Sequence, residues 1–215
     1  MTIEAVIFDL GGVVFESPLA FIREYESRHG LPENFIARIV GGYAGIDGVW
    51  HRLERGELTI AQFCDQFDAD IRAAGERASS AHLMNEMAER SALRPAMLDA
   101  IRSVRARGLK VAALTNNWMM GSEHEHDTRL ELLRAEFHVF VESCKVGLRK
   151  PDARIYELTC ERLGVVPSSA VFLDDMGQNL KAARLLGMTT IKVGDPAVAL
   201  SELERILDGR ETALG

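Results

Sequence analysis

Ala5-Val6-Ile7-Phe8-Asp9-Leu10-Gly11-Gly12 is an apolar run that ends in a carboxylate and two glycines. A nearly all-apolar stretch from about Ile3 to Asp9 suits a central parallel strand buried on both faces. The Gly11-Gly12 pair lets the backbone turn sharply and come close to a ligand, and Gly11 is expected at a conformation that only glycine tolerates well. Two further apolar runs end in chemically useful groups. Val111-Ala112-Ala113-Leu114 leads into Thr115-Asn116-Asn117, and Val171-Phe172-Leu173 leads into Asp174-Asp175. Lys150-Pro151 stands between them in the chain. In an open parallel sheet, ligands bind at the carboxyl ends of the strands. These separated segments are therefore expected to converge on one site.

Asp9, Asp174 and Asp175 would crowd negative charge there, which is costly unless a cation offsets it. Mg²⁺, which takes oxygen ligands, would do so together with Lys150. A hydroxyl and main-chain N–H groups at the Thr115-Asn116 turn make a cradle for phosphate. Lys150 precedes Pro151, so its backbone is expected to be extended at the start of a helix. Asp174 and Asp175 are adjacent, so on a strand their side chains point to opposite faces and only one can face the ion.

Between about Glu16 and Arg90 strand signals vanish and helical spacing takes over. Thr59 and Gln62 form a capping-box pair, followed by Phe63, Phe67 and Ile71 on one helical face. This segment, 16–90, reads as a small helical cap inserted after the first strand, with residues 1–15 and 91–215 forming the core. Alternation returns at Leu93. Pro95 opens a helix that Gly108 closes, and Pro151 opens one that Gly164 closes. Strands are expected at Lys110–Thr115, Ala170–Asp174 and Thr189–Val193, and helices at 177–186 and 197–207. Strand and helix alternate throughout the core, which predicts an α/β fold with a doubly wound parallel sheet. Residues 210–215 read as a frayed tail.

The chain has 215 residues, 47% hydrophobic and 27% charged, enough to bury a full core. Its net charge of −7 argues against nucleic acid or an anionic membrane as a partner, since both need a basic face. A phosphate substrate would gain no long-range steering from that charge. The three cysteines, Cys64, Cys144 and Cys160, fit neither a disulfide framework nor a zinc pattern and read as reduced thiols. No basic leader followed by an apolar stretch and no membrane-length apolar run is present, so a soluble, cytoplasmic protein is expected. Oligomeric state has no signature here.

The four segments resemble, in type, order and rough spacing, the motifs of the haloacid dehalogenase superfamily. Val141-Glu142-Ser143-Cys144, Arg149-Lys150-Pro151-Asp152, Phe172 through Leu180 and Ile191-Lys192-Val193 are similar to one branch of it. That branch comprises the phosphatase-like N-terminal domains of soluble epoxide hydrolase and of acyl-CoA dehydrogenase family member 10. The resemblance implies a Rossmann-like core with a helical cap and a Mg²⁺-dependent phosphatase acting on a small phosphorylated molecule. It implies Asp9 as the nucleophile that forms an aspartyl-phosphate, and Lys150 as the cation neutralising Asp9 and the phosphoryl group. Asp9, the Gly11 carbonyl and Asp175 would hold the metal, and Thr115, Asn116 and Lys150 the phosphate. Asp174 would support them from behind or hold a neighbouring loop, and Asn179 is placed either to cap locally or to hydrogen-bond Asp174 or Asp175. Phosphatases of this superfamily usually carry a second Asp two residues after the first, as general acid and base. Here that position is Gly11.

Two other functions compete. A 2-haloacid dehalogenase would use Asp9 on carbon and needs no metal, which leaves the Asp174-Asp175 pair unexplained. A phosphate-binding or interaction module with little turnover would be consistent with Gly11. Of the remaining residues, Arg149 is expected to be solvated. Trp118, Met119 and Met120 are placed either to shape a pocket or to pack in a core. Trp50 and His51, in the cap, are within reach of the site. The Glu123-His124-Glu125-His126-Asp127 tract reads as a solvated loop. His29, His51, His82 and His138 have no partner that the sequence identifies.

Overall fold

Strand β1 (Ala5–Phe8) has no exposed residue, because both of its faces are covered. The structure, a computed structural model, describes residues 2–42, 48–119 and 128–209. Met120, His124, His126 and the tail at 210–215 lie outside the described residues. β1 pairs in parallel with β2 (Lys110–Thr115) on one side and β4 (Ala170–Asp174) on the other. β3 (Val139–Glu142) and β5 (Thr189–Lys192) complete a five-stranded parallel sheet in the order β3-β2-β1-β4-β5.

Alternate residues of β1 face opposite sides. Val6 and Phe8 pack with Val111, Ala113, Val171 and Leu173 against helices α6 (Pro95–Ala106) and α11 (Pro196–Leu207). Ala5 and Ile7 pack with Ala112, Leu114 and Phe172 against α9 (Ala153–Leu163) and α10 (Gly177–Leu185). Helices cover both faces, which is the doubly wound arrangement expected from the alternating sequence. β3 was not foreseen. It is short, lies at the sheet edge and begins with half-buried residues, so its apolar signal is weak.

The helical stretch after β1 holds α1 (Pro18–Arg28), α2 (Phe35–Gly42), α3 (Val49–Glu54), α4 (Ile60–Ala73) and α5 (Ser80–Arg90). The Thr59 hydroxyl accepts from the Gln62 N–H, and the Gln62 side chain accepts from the Thr59 N–H, so the capping box is formed. Phe63, Phe67 and Ile71 are buried in a cluster separate from the two that flank the sheet. The chain leaves the sheet and returns to it at adjacent points. Phe15 bridges Leu93, the Glu16 N–H donates to the Ala92 carbonyl and the Arg94 N–H to the Val14 carbonyl.

Two short helices, α7 (Thr128–Arg134) and α8 (Ser143–Val146), flank β3. Pro151 does not open α9. The Lys150–Pro151 peptide is cis, and Asp152 caps the helix by accepting from the Arg154 N–H. Gly164 ends α9 in the left-handed conformation, as its position suggested. All three cysteines are free thiols. Among the described residues, no helix is long and apolar enough to cross a membrane.

Candidate active site

The sheet register brings three of the motifs to one edge. Phe8 pairs with Ala113 and with Leu173, so one step further Asp9 stands beside Leu114 and Asp174. The Asp9 N–H donates to the Leu173 carbonyl, and its Oδ1 accepts from the Leu10 N–H at 2.7 Å. Lys150, only 1% exposed, is the hub. Its Nζ lies 2.7 Å from Asp9 Oδ1 and 2.8 Å from Asp174 Oδ2, and donates to the Leu114 carbonyl at 3.0 Å. A buried ammonium with three oxygen partners has its donor capacity filled.

Asp174 is fully buried and fully engaged. Its Oδ1 accepts from the Met176 N–H, and the Asn179 amide donates to both carboxylate oxygens. Asp175 is different. β4 ends at Asp174, so Asp175 lies beyond the strand and the alternation rule does not apply to the pair. One carboxylate oxygen from each of Asp9, Asp174 and Asp175 lies within 4.8 Å of the other two. Among the described residues, Asp175 Oδ2 receives only a long hydrogen bond from Ser17 Oγ, at 3.4 Å.

Electrostatics record the crowding. Burial pushes the Asp9 carboxyl up to about 8, against the pull of Lys150 and with the help of Asp174. Burial and then the charge of Asp174 also raise Asp175. Burial alone would lower Lys150, but Asp9 and Asp174 outweigh it and hold the amine above its usual range. Three carboxylates share one ammonium, which is the imbalance a divalent cation would correct.

The glycines divide their work differently from the expectation. Gly12 has φ +81°, and a Cβ there would stand 2.2 Å from Asp175 Oδ2. Arg94 fixes this turn by donating to the Gly12 and Val13 carbonyls. Gly11 has φ −69° and ψ 123°, a conformation any residue adopts. Among the described residues beyond its chain neighbours, the nearest atom to a Cβ on Gly11 would be Pro18 Cδ at 3.8 Å. The glycine requirement therefore belongs to Gly12, not to Gly11.

Thr115 ends β2 and is buried. Its hydroxyl reaches the Asn116 carbonyl only at 3.5 Å. The Asn116 side chain is spent on Lys150, donating to its carbonyl at 3.0 Å and accepting from its N–H at 2.8 Å. Asn117 is braced from β3 and α8: Ser143 Oγ accepts from its N–H, and its amide donates to Glu142. Glu142 is held in turn by Arg134 and Lys145. The Val141-Glu142-Ser143-Cys144 stretch thus buttresses the β2 loop, a role its sequence did not disclose.

Arg149 is not solvated. Its Nε donates to Glu54 Oε2 at 2.6 Å, and both side chains are largely buried. Glu54 Oε1 accepts from Trp50 Nε1, and the Trp50 ring meets Trp118 edge-on at 5.8 Å. Trp118 therefore packs on the helical segment, while Met119 is 57% exposed. The fold thus gathers Asp9, Lys150, Asp174 and Asp175 at the carboxyl end of the central strands.

A haloacid dehalogenase-like hydrolase model matches residues 3–187. The mouse acyl-CoA dehydrogenase family member 10 is 40% identical over 207 residues, covering 94% of this chain and 19% of that protein. The pig bifunctional epoxide hydrolase 2 is 34% identical over 218 residues, covering 96% and 39%. The chain thus spans well under half the length of these two relatives. Phosphatase MT3486 of Mycobacterium tuberculosis (strain CDC 1551 / Oshkosh) is 31% identical over 97% of this chain and 99% of its own. Among solved structures, a Bacteroides thetaiotaomicron haloacid dehalogenase-family enzyme, determined with magnesium and inorganic phosphate, superposes with a TM-score of 0.60. It is 21% identical, over 90% of this chain and 96% of that one, a likeness of fold. The chain belongs to the haloacid dehalogenase-like hydrolases.

Proposed function

We propose that this protein is a Mg²⁺-dependent phosphatase that hydrolyses a small phosphate ester through an aspartyl-phosphate at Asp9. The observation that carries the reading is the buried Lys150 joining Asp9 to Asp174 with Asp175 alongside. A phosphatase relative of nearly the same length supports it. Asp9 attacks phosphorus, the ester oxygen departs, and water later cleaves the acyl phosphate, which splits one hard step into two. Lys150 keeps Asp9 oriented and balances charge as the phosphoryl group arrives. The Thr115 hydroxyl and the Asn116 N–H hold the phosphate oxygens, since the Asn116 side chain is already engaged with Lys150 and the Asn117 N–H with Ser143 Oγ.

The donor set fits Mg²⁺, because the unbalanced carboxylates offer the hard oxygen ligands it takes. Asp9, the main-chain carbonyl of Gly11 and Asp175 would hold it. When bound, it screens the repulsion between Asp9 and an anionic substrate. Gly12 keeps that space open by lacking a side chain where Asp175 Oδ2 approaches. Residues 16–90 act as the cap over this site, tied to the core by the Arg149–Glu54 pair and by Trp118. A dehalogenase would leave Asp175 without a task, and the site gives no reason to prefer it.

The test is hydrolysis of an aryl phosphate and a panel of metabolite phosphates, with Mg²⁺ and after chelation by EDTA. Turnover that survives chelation would exclude the metal-dependent reading, and no turnover on any phosphate would favour the binding module. Within the acidic pair, Asp175→Ala should weaken Mg²⁺ binding far more than Asp174→Ala in a calorimetric titration. Asp174→Ala should instead lower stability, by up to about 3–5 kcal/mol in urea denaturation, because the buried Lys150 then loses its ion pair with Asp174. Equal losses of Mg²⁺ affinity would show that the two residues do not divide the work in this way.

A further inference from the structure

Away from the carboxylate site, His29, His82 and Glu86 place their ligand atoms within 4.8 Å of one another. His82 and Glu86 are one turn apart on α5, and His29 immediately follows the last residue of α1. The two imidazoles are positioned by one buried ring. Tyr25 lies 4.2 Å from the His29 ring and 6.0 Å from the His82 ring, centroid to centroid. Its hydroxyl is fixed by donating to the Ser79 carbonyl at 3.0 Å.

Glu86 is oriented as well. Arg28 Nη2 donates to its Oε2 at 2.6 Å and holds the carboxyl below its usual range. Glu24 pairs with both Arg28 and Arg90, so the neighbouring guanidinium charges are answered. The other oxygen, Oε1, is buried and accepts no hydrogen bond among the described residues. A buried acceptor whose sole close partner among the described residues is an imidazole, an ion pair only when that ring is protonated, calls for an explanation such as a bound ion. His82 Nε2 stands 3.0 Å from it, close without forming a hydrogen bond. Two atoms each about 2.0–2.1 Å from one Zn²⁺ at the tetrahedral angle are themselves about 3.3 Å apart.

We infer that His29, His82 and Glu86 form a second metal site, for a borderline divalent transition ion such as Zn²⁺, that ties α1 to α5. Two imidazole nitrogens and one carboxylate oxygen suit Zn²⁺, Ni²⁺ or Cu²⁺, whereas Mg²⁺ prefers oxygen alone. Water would fill the remaining positions, since both imidazoles are exposed. Arg28 acts here as the outer partner that leaves Oε1 free for the ion.

The full chain, kept in excess Mg²⁺ so that the oxygen site is filled, is titrated with Zn²⁺ against a chromophoric chelator. Thermal melting is followed in parallel. His29→Gln, His82→Gln and Glu86→Gln should each lose about tenfold or more in affinity, since even outer partners cost about 10–100-fold. Each should also lose the rise in melting temperature that Zn²⁺ gives the wild type. Glutamine keeps a polar side chain beside Tyr25, and matching circular dichroism without Zn²⁺ verifies the fold. A His124→Ala/His126→Ala double variant should bind as the wild type does. Unchanged affinity in the three Gln variants, or binding that follows His124 and His126, overturns the proposal. Losses confined to His82→Gln and Glu86→Gln overturn the link between α1 and α5.

Discussion

Asp9→Asn is expected to lower phosphate hydrolysis by on the order of 10⁴-fold or more, the scale seen when a covalent nucleophile is removed. The substitution keeps shape. An Asn oxygen can still accept from the Leu10 N–H and from Lys150, which now meet Asp9 Oδ1 at 2.7 Å each. What is lost is the charged oxygen that attacks phosphorus, so the effect falls on kcat. The fold should not suffer. Asp9 holds its proton more tightly folded, up to about 8, than unfolded, where the usual value is 3.8. The unfolded chain therefore releases that proton first, and metal-free stability falls as pH rises through the interval between the two values. Asn has no proton to release and escapes this penalty. Urea melts of the metal-free proteins should show a smaller loss for Asp9→Asn than for wild type between the acidic and the mildly alkaline end of that window. Hydrolysis by the variant at the wild-type rate would remove Asp9 from the role of nucleophile.

The parts of this site that were legible in the sequence share a physical cause. β1, β2 and β4 are buried on both faces, so each is a nearly unbroken apolar run, and the polar residue that ends it stands out. That exposed Asp9, Thr115 and Asp174 to a reader of the sequence. The motif around Lys150 points to the lysine but not to its three-oxygen seat, which combines Asp9 just past β1 with groups from β2 and β4. Arg149 was misread for the same reason. Its partner Glu54 is 95 residues away on α3, and no local pattern announces a long-range ion pair. β3 escaped notice because an edge strand with half-buried residues lacks the apolar run. The sequence pattern makes Asp174 and Asp175 strand neighbours, but the strand stops between them, and boundaries are where a periodic pattern says least.

The adjacent glycines show the same limit, and they set up the second large effect. Either could have carried the left-handed turn, and only the backbone angles separate them. Gly12 carries it and stands against Asp175, so even Gly12→Ala should displace that carboxylate. Gly11 has ordinary angles, and a Cβ there would make only van der Waals contact with Pro18, so Gly11→Asp should fold. An Asp there would supply the general acid that most phosphatases of the superfamily carry two residues after the nucleophile. The benefit depends on the leaving group. An alkyl phosphate departs as a strongly basic alkoxide, and protonation by a positioned acid is worth about 10²–10⁴-fold. An aryl or acyl phosphate departs as a weak base and needs little help. The expected result is therefore a rise in kcat/KM for alkyl phosphates with little change for aryl ones. The two rates would be measured after circular dichroism and thermal melting have shown an intact fold. If the folded variant gained nothing on alkyl relative to aryl phosphates, protonation of the leaving group would not be what limits this protein. A residue elsewhere, such as one from the helical segment 16–90, would then have to carry that proton.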